Sequence, residues 1–106
     1  MVKKILFILC LTLSTLVFSQ KKSLSDLAAA PNPFTTSTKI TYTSDNEEDV
    51  TLIIKNVLGK LMYKKVYKST LGENTITFLK DDLKSGIYFY QIQNATALIS
   101  KRFVIK

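Results

Sequence analysis

A chain of 106 residues has room for one domain, and with no histidine and a single cysteine it lacks most of the side chains that catalysis and metal binding use. Fifteen basic residues against eight acidic ones give a formal net charge of +7. Ser-His-Asp and Cys-His arrangements and the usual zinc sites are excluded, and neither enzyme activity nor a cofactor is expected.

The chain opens on Met1-Val2-Lys3-Lys4, continues through an apolar run over residues 5–18, and reaches a small residue at Ser19. Residues 1–19 read as a cleaved signal peptide. As a membrane anchor the run is too short, since spanning takes about 20 apolar residues. Leu9 is too bulky to precede a lipoprotein cysteine at Cys10. Cleavage after Ser19 leaves 87 residues without cysteine or a transmembrane segment, with 13 basic residues, Lys3 and Lys4 being lost, against 8 acidic ones. A cationic protein outside the cytoplasm is suited to anionic lipid or polysaccharide surfaces, and nucleic acid is not expected as a partner.

Residues 20–30 are polar and then alanine-rich with no sustained period, and read as a flexible leader. Pro31-Asn32-Pro33-Phe34 cannot be helix, because each proline fixes its own φ and extends the residue before it. It reads as a short opening strand with Phe34 as an apolar plug. Lys39-Ile40-Thr41-Tyr42-Thr43 alternates with Ile40 and Tyr42 inward, and residues 44–49 form an acidic turn. Val50, Leu52 and Ile54 share one face of the next strand. Gly59, in Asn56-Val57-Leu58-Gly59-Lys60, supplies the positive φ of a hairpin turn. Its second arm, residues 61–68, breaks parity, which points to a bulge or to an edge strand whose lysines discourage pairing with other chains.

Gly72-Glu73-Asn74 reopens the chain into Thr75-Ile76-Thr77-Phe78, and Leu83-Lys84-Ser85-Gly86-Ile87-Tyr88-Phe89-Tyr90-Gln91-Ile92 is the spine of the fold. The spacing of Leu83, Gly86 and Tyr88 suits a tyrosine corner, in which the hydroxyl bonds back to the preceding connection. It equally suits a buried aromatic strand without a corner. Asn94-Ala95-Thr96 is a tight connection. The last strand carries Phe103 and Ile105 on one face and Arg102 and Val104 on the other.

Six strands and the short opening one, with turns at the spacing of an all-β sandwich, predict a seven-stranded antiparallel immunoglobulin-like sandwich over residues 31–106. The connections are too short for crossover helices. The carboxylates fall in turns; Asp45-Asn46-Glu47-Glu48-Asp49 offers oxygens for calcium but lacks the glycine and terminal glutamate of an EF-hand. A basic, β-branched last strand ending at the terminus is accessible to a receptor by strand addition.

In order along the chain, Pro31-Asn32-Pro33-Phe34, Asn56-Val57-Leu58-Gly59-Lys60, Gly72-Glu73-Asn74, Leu83-Lys84-Ser85-Gly86-Ile87-Tyr88 and a basic terminal strand resemble the type A C-terminal sorting domain of the type IX secretion system of Bacteroidetes. The resemblance runs from about residue 28 to the terminus, directly behind the signal peptide, and no passenger domain is expected between them. It implies a non-catalytic secretion-targeting domain that presents its terminus to the outer-membrane translocon. A sortase-like surface protease then removes the domain and joins cargo to anionic lipopolysaccharide. Lys101, Arg102, Phe103, Val104, Ile105 and Lys106 match the segment the family uses for translocon recognition. Pro31, Asn32, Pro33, Phe34, Gly59, Gly72, Leu83, Gly86 and Tyr88 match its structural motif. Removal of residues 103–106 is expected to impair export more than folding. The alternative function is a small secreted adhesion or binding module, with its activity on a loop or sheet face.

Overall fold

The computed structural model describes residues 23–106; the signal peptide assigned to residues 1–19 lies outside them. Seven strands follow one another: β1 (Leu24–Ala30), β2 (Ser37–Ser44), β3 (Val50–Asn56), β4 (Leu61–Tyr67), β5 (Gly72–Leu79), β6 (Gly86–Gln93) and β7 (Leu98–Ile105). They form a three-stranded sheet in the order β1-β2-β5 and a four-stranded sheet in the order β4-β3-β6-β7. Every strand pairing is antiparallel. Among the described residues there is no helix.

The period-2 alternation of side chains decides which residues enter the core. Ile40 and Tyr42 of β2, Val50, Leu52 and Ile54 of β3, and Tyr88, Tyr90 and Ile92 of β6 are all buried in one cluster with Phe103 and Ile105 of β7. Phe78 of β5 stacks on Phe103 with ring centroids 5.8 Å apart, which locks the two sheets face to face. The residues between them, such as Thr41 and Gln91, keep some exposure.

The expected parity break in the fourth strand is present. Ile54 pairs with Tyr63 but Lys55 pairs with Leu61, so Met62 is the extra residue of a bulge. That strand, β4, is also an edge strand. Gly59 has φ 84°, and its amide donates to the Asn56 carbonyl at 2.9 Å to close the hairpin.

Two expectations at the start of the domain are corrected. Residues 24–30 of the supposed flexible leader form β1, paired with β2 from Leu24 opposite Ser44 to Ala30 opposite Lys39. Leu24 and Leu27 are 0% and 1% exposed. Three residues apart, they cannot share a face of a regular strand. A register shift between Ser25 and Ala28, with Asp26 at φ 55°, turns both inward. Conversely, the Pro31-to-Phe34 segment is no strand; Phe34 makes only an isolated parallel bridge to Ile105. The total of seven strands therefore stands with β1 in place of the expected opener.

Candidate functional site

Alternation along β7 divides the six terminal residues that the sequence groups together. Phe103 and Ile105 are 0% and 1% exposed. The Phe103 ring lies edge-on to Phe34 at 5.0 Å and stacks on Tyr90 at 5.0 Å. These two side chains hold the core and are closed to a receptor. Removing residues 103–106 would delete both, so such a truncation acts on the core as well as on the terminal contacts. Lys101 has the same parity and lies opposite Tyr90, yet it is exposed. Arg102 and Val104 face outward, the first exposed and the second half-buried, and Lys106 is exposed at the end.

The edge of β7 is partly occupied as well. Among the described residues the strand pairs with β6 on one side and with no strand on the other. Near the terminus, the Phe34 amide donates to the Val104 carbonyl at 3.0 Å and the Lys106 amide donates to the Phe34 carbonyl at 2.8 Å. Asn32 extends this clamp: its Oδ1 accepts the Val104 amide at 2.9 Å and its Nδ2 donates to the Arg102 carbonyl at 3.4 Å. Strand addition, expected over the whole terminal strand, is therefore blocked at Val104 and Lys106 while the Asn32 and Phe34 contacts hold. Both X–Pro bonds of the clamp segment, before Pro31 and Pro33, are cis. Phe34 itself is 2% exposed and also lies edge-on to Phe78.

The remaining motif residues shape connections. The Tyr88 hydroxyl donates to the Lys84 carbonyl at 2.7 Å, the geometry of a tyrosine corner, and Leu83 is half-buried against the core. Gly86 begins β6, and Gly72, at φ 97°, begins β5. Sequence reasoning weighted the glycines and overlooked the asparagines beside them. Asn56 Oδ1 accepts the amides of Leu58 and Lys60 at 3.0 and 2.9 Å. Asn74 accepts the Thr70 amide at 2.8 Å and donates to the carbonyls of Thr70 and Gly72. Asn94 accepts the amides of Thr96 and Ala97. An asparagine in or flanking a turn was the available signal, because its short amide bonds nearby backbone.

Elsewhere the polar groups serve the structure. In the acidic turn, Asn46 Oδ1 accepts the Glu48 amide at 2.9 Å and Glu48 Oε1 accepts the Ala95 amide at 3.0 Å. Among the described residues no group of three or more acidic side chains is placed to hold a metal ion. An open groove of about 760 Å³ lies between the edges of β4 and β5, lined by Tyr63, Tyr67, Phe78 and Leu83 with Lys65 and Lys80. The Tyr63 and Tyr67 hydroxyls lie 2.9 Å apart there. Burial, with the Tyr63 hydroxyl adding to it, pushes Tyr67 up to about 12.

These observations define a class: a small all-β module of two sheets whose last strand is a sheet edge, held at its end by a clamp from the segment after β1. Compared with protein families, residues 28–106 match the secretion system C-terminal sorting domain, and the chain belongs to that family. Membership gives it a sorting role in the type IX secretion system, which implies interaction with that machinery and export to the cell surface or medium. Sorting domains of this family are in general non-catalytic. No curated protein matches the chain. Among the described residues no helix is long and apolar enough to cross a membrane.

Proposed function

We propose that the chain enters the periplasm by the signal peptide of residues 1–19 and that the domain then presents the reachable side of β7 to the type IX outer-membrane translocon. The observation that carries this reading is the exposure of Lys101, Arg102 and Lys106 on an edge strand at the C-terminal end of a matched sorting domain. Phe103 and Ile105 act in it as anchors that fix the strand; Arg102, Val104 and Lys106 offer the contacts. The sheet orders β1-β2-β5 and β4-β3-β6-β7, with the Tyr88 corner, support an immunoglobulin-like arrangement. Processing by a sortase-like surface protease and contact with anionic lipopolysaccharide complete the reading. Because β1 belongs to the folded sheet, the severed bond then lies ahead of Leu24.

A periplasm-directed fluorescent reporter fused ahead of residues 23–106 tests this in a bacterium with type IX machinery. The intact fusion is expected outside the cells. A variant with Arg102→Glu and Lys106 removed, which spares both core anchors, is expected to remain in the periplasm. Retention of the intact fusion would overturn the sorting reading and leave a secreted binding module in its place.

A further inference from the structure

The two sheets present different outward faces. On the three-stranded sheet, Thr41 and Thr43 of β2 lie beside Thr75 and Glu73 of β5, a polar surface of ordinary character. On the four-stranded sheet the strand register sets Lys55 of β3, Phe89 of β6 and Arg102 of β7 in one row. The adjacent outward pair is Ile87 and Val104. Phe89 and Ile87 are 41% and 44% exposed. Ile53, on the same face, is 8% exposed and yet stands apart from the core cluster. No carboxylate occupies an outward position of this sheet, whose charges are Lys55, Lys64 and Arg102.

We infer that this face, centred on Phe89 between Lys55 and Arg102, docks an acidic protein surface with an apolar centre, and that the same partner reads the terminal strand. The inference rests on the sorting reading and extends its contacts beyond the terminus to β3 and β6. Three cations with no carboxylate among them favour negative charge on the surface that docks there. A half-exposed aromatic flanked by arginine and aliphatic side chains has the composition of a protein-interface centre. The face is continuous with the terminal contacts, since Arg102 and Val104 belong to both.

The test uses the full 106-residue chain, produced in a bacterium with type IX machinery and followed by immunoblotting of medium, cell surface and periplasm. Lys55→Glu and Phe89→Ser are each expected to lower the exported fraction about tenfold. Lys39→Glu, on the other sheet, is expected to leave it unchanged. Lys55 is not in the core, so Lys55→Glu decides the matter if Phe89→Ser unfolds the chain, as thermal melting will show. Wild-type export of Lys55→Glu, while Arg102→Glu with Lys106 removed is retained, would overturn the docking face and leave the sorting reading standing. Retention of the unaltered chain would overturn both. Export unaffected by Lys55→Glu, together with loss of the purified chain's co-sedimentation with phosphatidylglycerol vesicles, would replace the protein partner by a lipid surface and overturn the inference.

Discussion

The Lys106 amide donates to the Phe34 carbonyl at 2.8 Å, so the last residue of the chain is tied to the segment that joins β1 to β2. The Phe34 backbone and the Asn32 side chain thus do for the end of β7 what a neighbouring strand would do, and cover donors and acceptors that an edge leaves open.

Asn32 is the polar half of that clamp. Asn32→Ala removes the acceptor of the Val104 amide and the donor to Arg102, at a cost of about 1 kcal/mol. Hydrogen exchange at Val104 is expected to accelerate while exchange at Phe103, which faces β6, changes little. Equal protection of Val104 in both proteins would mean that Asn32 does not guard the edge.

Tyr88 makes two separable contributions. Tyr88→Phe keeps the ring and loses only the bond to Lys84, about 1 kcal/mol, or roughly 4–8 °C in Tm for a domain of this size. Tyr88→Ala also opens a cavity beside Phe103 and is expected to cost ~3–5 kcal/mol. Thermal melting of the pair separates corner from core; identical melting of Tyr88→Phe and the unaltered protein would leave the corner without energetic weight.

Asp26 holds φ 55° in the bulge of β1, a conformation that aspartate and asparagine tolerate and β-branched residues resist. Asp26→Asn is expected to melt like the parent, and Asp26→Val to lose ~1–2 kcal/mol. The same loss in both variants would point to the carboxylate and away from the backbone.

Alkaline pH should unfold the domain through its buried phenols. Burial raises Tyr42 and Tyr90 above 10.0, and burial with the Tyr63 hydroxyl takes Tyr67 to about 12. Between those values the unfolded chain has released protons that the folded one retains, so stability is whole below pH 10 and is lost as pH rises through about 12. Melting temperature measured upward from neutral pH is expected to fall beyond 10; a level profile to 12 would show that the folded phenols titrate like free ones.

Strands β2, β6 and the end of β7 were legible because each keeps period-2 alternation against a buried face, and β3 because Val50, Leu52 and Ile54 share its inner face although Ile53 is buried as well. Ile40 and Tyr42, or Phe103 and Ile105, announce their side of the sheet without any knowledge of partners. Strand β1 was not legible. Leu24 and Leu27 are out of phase for a strand, and only the bulge at Asp26 brings both inward. The terminal residues were legible as a group but not in their division.

By itself, then, the sequence determined the turns, the antiparallel character, the Tyr88 corner spacing and the inward side of most strands, since these depend on residues within a few positions of one another. Tertiary structure alone decided which side chains of the terminal strand are free and which part of its edge is covered. Those properties depend on partners far away in sequence: Phe34 and Phe78 against Phe103, Phe89 beside Arg102, and Asn32, 72 positions before Val104. Local alternation assigns a residue to a face; only packing of distant segments determines whether that face or edge meets solvent.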